Sequence, residues 1–62
     1  MTDTQITQAA RNVHIEPDVR DGFHQVTPGV FLFNGCDLRD QRRTFQYYAI
    51  QEAGAIRIER YR

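Results

Sequence analysis

Two strand-like runs, "TFQYYAIQ" and "AIRIERYR", stand on either side of "EAG" near the end of the chain, and no other stretch limits the fold so tightly. Bulky residues at alternating positions around a short turn signal mark an antiparallel hairpin. With Glu52, Ala53 and Gly54 as a three-residue loop, Gly54 takes the left-handed position of a type I turn with a G1 bulge. Ile50 then opposes Ile56 and Tyr48 opposes Ile58, which sets aliphatic against aliphatic and ring against β-branched side chain. A two-residue Ala53-Gly54 loop would place Gln51 against Ile56, so the longer loop is the expected one. On that register Tyr48, Ile50, Ile56 and Ile58 form the inward face. Phe45, Tyr47 and Tyr61 point the other way, with Arg57 and Glu59 among them. A small domain wets one face of its sheet, so a second apolar face suggests an interaction site.

The rest of the chain supplies a partner for the inward face. Ile6, Ala9, Ala10 and Val13 recur at helical spacing in "TDTQITQAARNVH", and Thr2 or Asp3 can cap the helix. So short a helix is marginal in water, and its small alanines suit close docking on a sheet. Pro17 biases Glu16 towards extended geometry, and "EPDVRDG" reads as a loop. "FHQV" at 23–26 is a short strand, "TPG" a turn, and the unbroken "VFLF" at 30–33 a strand central in its sheet. Asn34-Gly35 is a strong hairpin signal. The following "CDLRDQRR" is too polar for a core strand: either Cys36–Leu38 makes a brief return strand or, as preferred, 34–43 is one long loop carrying Arg39, Arg42 and Arg43. The expected fold is α+β, a short N-terminal helix packed on a three- to four-stranded antiparallel β-sheet that ends in a C-terminal β-hairpin. Residues 1–62 are read as a single compact domain.

A chain of 62 residues buries only about 60% of the surface its unfolded form exposes. Stability of roughly 3–9 kcal/mol follows from typical per-residue values. One cysteine, Cys36, cannot form an internal disulfide. Extra stability must come from a well-packed core or from burial against another chain. A symmetric homodimer through the second face or the terminal strand is therefore expected. The lone cysteine, and a start "MTDTQITQAA" with neither basic nor apolar leader, suggest a cytoplasmic setting. The longest apolar run, "VFLF", is far short of the ~18 residues of a membrane span.

Nothing in the chain spells out a reaction. His14, His24, Cys36 and Asp37 match no metal-ligand spacing, so no metal or cofactor is expected. Cys36 lacks an orienting group that would make it a nucleophile. Asp37 and Asp40, flanked by arginines, read as a solvated loop rather than an acid–base pair, and "NGCDLRD" lacks the spacing and lysine of a phosphate loop. No enzymatic role is expected.

Aromatic and arginine side chains remain. All eight basic residues are arginine, as codon usage in a GC-rich genome would produce. Formal charge is −2 over residues 1–35 and +2 over residues 36–62. Phe45, Tyr47 and Tyr61, with Arg57 among them and Arg39, Arg42 and Arg43 before them, fit a protein interface. They also fit a single-strand nucleic-acid platform, with rings for bases and guanidinium groups for phosphates. Zero net charge favours the protein, because nucleic-acid binders draw most of their affinity from counterion release. The expectation is a small regulator or inhibitor of the phage or mobile-element accessory type. It would dock on a larger protein through Arg39, Arg42, Arg43, Phe45, Tyr47, Arg57 and Tyr61. Single-stranded nucleic acid is the second expectation.

Overall fold

Thr2 starts the first element. Its hydroxyl accepts the Gln5 N–H at 3.2 Å, and Gln5 Oε1 accepts the Thr2 N–H at 2.9 Å. This reciprocal box satisfies two backbone donors that a helix start leaves unpaired and opens α1 (Asp3–Asn12). His14, at φ 66°, then turns the chain sharply, and β1 (Ile15–Pro17) begins at once. The computed structural model describes Met1–Arg62 and adds β2 (Phe23–Thr27), β3 (Val30–Asp37), β4 (Arg43–Glu52) and β5 (Ala55–Arg60). The fold is α+β: one short N-terminal helix on an antiparallel sheet that closes with the β4–β5 hairpin.

The strand order is β1-β3-β4-β5, with β2 also paired to β3. On one side β3 meets β2 along Val30–Phe33 and β1 along Gly35–Asp37. On the other side β4 runs beside all of β3. The "VFLF" segment is thus central, as expected, but only Phe33 of its four residues is fully buried. Pro17 has no N–H to donate, which a strand at the rim of the sheet tolerates.

Ile6 and Ala10 of α1 press on Ile15, Phe33, Tyr47 and Ala49, and these six side chains are the core. Phe23 and Phe33 lie with ring centres 5.5 Å apart, Phe33 and Tyr47 5.7 Å, and Tyr47 and Phe45 6.4 Å edge to face. These are favourable spacings and tilts for aromatic pairs. A continuous row of rings therefore runs across the sheet beneath the helix.

The hairpin corrects the expected register. Glu52 pairs with Ala55, Gln51 with Ile56, Ala49 with Ile58 and Tyr47 with Arg60. The loop is Ala53-Gly54, with φ 48° and 79°, the two positive values that a type I′ turn needs. One residue fewer in the loop flips β4 relative to β5. Phe45 and Tyr47 consequently lie on the helix side with Ile56 and Ile58, while Tyr48 and Ile50 lie on the uncovered side with Arg57. The physical reason is that Ile56 and Ile58 pack against the helix-side core, which outweighs the polar cross-strand partner, Gln51, that Ile56 then takes.

Two further expectations give way. Asn34-Gly35 is no turn: both residues continue β3, and only residues 38–42 form the connection. Gly35 is needed for close approach, since a Cβ there would lie 2.8 Å from Ile15 Cγ2. Glu16 and Pro17, read as the start of a loop, join Ile15 in β1 because β3 extends far enough to pair with them.

Candidate binding surfaces

Cross-strand pairing assigns the uncovered face residue by residue. Val30 pairs with Ile50, Leu32 with Tyr48, and Cys36 with Thr44, and directly opposed side chains share a face. Val30, Leu32, Tyr48 and Ile50 are half-buried by their neighbours alone. Tyr61 extends the patch: its N–H donates to the Gln46 carbonyl at 2.8 Å. Its ring lies 5.5 Å from that of Tyr48, and the residue keeps 46% of its surface in solvent. The result is an aliphatic centre with a tyrosine pair at one end.

The charges on this face are tied to one another. Arg57 Nε donates to Glu52 Oε1 at 2.6 Å, and its Nη1 lies 2.7 Å from Glu59 Oε1. Glu52 is the main cause that raises the Arg57 pKa further, through that hydrogen bond. Two carboxylates against one guanidinium leave this rim slightly acidic. Arg57 therefore shares a face with Tyr48 and Ile50 rather than with Phe45 and Tyr47 as expected, and its charge is already matched within the molecule.

The expected site residues divide into three groups. Tyr61 and Arg57 share the uncovered face. Tyr47 is a core residue, 3% exposed, and its hydroxyl is buried without a hydrogen-bond partner. Burial, followed by the negative charge of Asp37, pushes its phenol pKa up. Phe45 is half-buried on the helix side, and the Arg60 guanidinium carbon lies 3.4 Å from its ring centre, with that of Arg43 at 5.3 Å. Such contacts hold a guanidinium by its flat face. Arg39, Arg42 and Arg43 gather at the β3–β4 connection, where the Arg39 N–H donates to Asp37 Oδ1 at 2.9 Å.

The expected site omitted Val30, Leu32, Tyr48 and Ile50. The signal for them was the Val30–Phe33 run itself, because a central strand in a sheet covered on one side must place alternate residues on the open side. Two shallow grooves flank the helix. One of about 620 Å³ between α1 and β5 is lined by Ala9, Val13, Ile56 and Ile58. The other, about 390 Å³, lies between α1 and the Val19–Phe23 segment. No helix is long and apolar enough to cross a membrane. Compared with known proteins, the chain matches no family, no curated protein and no solved structure.

Proposed function

We propose that this chain is a non-enzymatic binding module that docks on a larger protein through the uncovered face of its sheet. The observation that supports this reading is the contiguous apolar patch of Val30, Leu32, Tyr48 and Ile50, extended by Tyr61. Apolar centres with a polar rim are the anatomy of protein interfaces. The Glu52–Arg57–Glu59 rim suits a partner with basic groups around an apolar patch. It repels phosphate, which argues against a nucleic-acid strand on this face. Regulation or inhibition of the larger protein is the role that such a module would fill.

The test compares the native chain with the Leu32→Ser, Tyr48→Ser double variant. Both residues are half-buried and outside the six-residue core, so the variant is expected to fold. Each truncation should weaken partner binding by about 30-fold, the cost of roughly 2 kcal/mol at an interface hot spot. Equal capture of the same protein by both forms would remove the reading. Sedimentation at micromolar concentration adds a second outcome. A 7.3 kDa species leaves the face free for another protein, whereas a dimer abolished by the double variant assigns the face to a second copy.

A further inference from the structure

Five ion pairs join oppositely charged side chains in this molecule, and they use Arg11, Arg20, Arg39 and Arg57. The remaining four arginines, Arg42, Arg43, Arg60 and Arg62, make none. All four belong to one end of the sheet. Arg42 closes the β3–β4 connection and Arg43 opens β4. Arg60 ends β5 opposite Tyr47, and Arg62 lies two residues beyond. Only one carboxylate of the connection, Asp40, stands beside them without an ion-pair partner, since Asp37 faces Arg39 at 3.9 Å. A chain of zero net charge therefore carries a local excess of about three positive charges at this end, by the electrostatics of unpaired groups.

Two of the four are also held in place. Arg60 lies directly over the Phe45 ring at 3.4 Å and Arg43 approaches the same ring at 5.3 Å. A guanidinium stacked on a ring keeps its N–H donors pointing sideways in its own plane, where they fit the oxygens of a phosphate. Its outer face stays open to a further flat group, and nucleobases stack on guanidinium planes. The carboxylates of an acidic peptide would meet these guanidinium groups edge-on and lack the aromatic ring that a base brings to the Phe45–Arg60 stack.

We propose that this arginine end binds a short stretch of single-stranded nucleic acid, with Arg42, Arg43 and Arg60 on phosphates and a base on the outer face of Arg60. The surface is distinct from the uncovered face, and neither reading depends on the other. The strand is confined to the end because the Glu52–Arg57–Glu59 rim turns it away from the sheet.

The test is fluorescence-anisotropy titration of a labelled twelve-nucleotide oligothymidylate and its oligouridylate counterpart, from low to physiological salt. Three phosphate contacts give a log–log salt slope of about −2, at roughly −0.7 per phosphate. Arg42→Ala and Arg43→Ala should each flatten the slope by about 0.7, and Arg20→Ala, in the β1–β2 connection, should leave it unchanged. Arg60→Lys keeps the charge and loses the stack, so affinity should fall by about fivefold, the low end of the value of one base–aromatic contact, at unchanged slope. Arg42 is exposed, so its variant reads the charge contribution even if an Arg60 variant is less stable. Absence of binding at low salt would overturn the proposal, as would a slope unaltered in Arg42→Ala and Arg43→Ala. Tighter binding of a polyglutamate peptide than of either oligonucleotide would overturn it in favour of an acidic protein segment.

Discussion

Tyr47→Ala is expected to remove half or more of the molecule's stability, whereas Tyr47→Phe should leave stability unchanged or raise it. The ring stands between Phe33 and Phe45 under the helix, at 3% exposure. Truncating such a ring costs about 3–5 kcal/mol, against a total of roughly 3–9 kcal/mol for a chain of this length. The hydroxyl contributes the opposite sign. Buried without a partner, it bears a desolvation cost of about 1–3 kcal/mol that phenylalanine avoids. Thermal or urea denaturation of the three proteins decides the matter. A Tyr47→Phe variant markedly less stable than the native chain would mean that the hydroxyl is bonded after all. The same hydroxyl predicts an alkaline effect. A phenol whose pKa is raised in the fold stabilises below its unfolded value, near 10, and that stability is lost as pH rises through the folded value. The loss should be smaller in Tyr47→Phe.

Gly35→Ala is expected to cost about 1–3 kcal/mol, the usual penalty for overpacking. Its added methyl group would lie 2.8 Å from Ile15 Cγ2 and 3.4 Å from both the Glu16 carbonyl oxygen and Tyr47 Cδ2. A Cγ2 methyl on a β-branched residue has little freedom to move aside, and the carbonyl belongs to the paired β1 backbone. Loss of the Ile15 side chain would relieve the closest of these contacts. The penalty should therefore shrink when Gly35→Ala is made on an Ile15→Ala background, a coupling that a double-mutant cycle reads directly. Additive effects would show that β1 shifts as a whole instead.

Both residues also show what the amino-acid order disclosed and what it hid. The helix was legible because Ile6 and Ala10 repeat at helical spacing behind a capping threonine, and these are local signals. The existence of the hairpin was legible for the same reason. Its register was not, because Ala53 takes a positive φ that alanine rarely adopts, and because Ile56 and Ile58 are matched by distant α1. A single-residue change in loop length then exchanged the two faces of β4. Tyr47 moved into the core and Tyr48 onto the surface. Gly35 misled in a related way. After asparagine a glycine suggests a turn, whereas here the missing side chain makes room for Ile15, twenty residues earlier. In the candidate surfaces, the aromatic and arginine composition was visible, but ion pairing separates Arg57 from the arginines at the end of the sheet. That separation depends on which carboxylates the fold brings near.

The division of one side of β3 between β1 and β2 has a kinetic consequence. β3 is bonded on both sides, yet its neighbours on that side are two short strands separated by the Asp18–Gly22 connection. Breaking the β1 pairing removes the cover from Gly35–Asp37 and leaves β2 in place, and the converse holds for Val30–Phe33. Native-state opening on this side can therefore proceed in two independent steps, each smaller than global unfolding, in the manner of separate cooperative units. The β3–β4–β5 meander forms the slowest-exchanging part, because its pairs run the length of the longest strands and stay intact through either step.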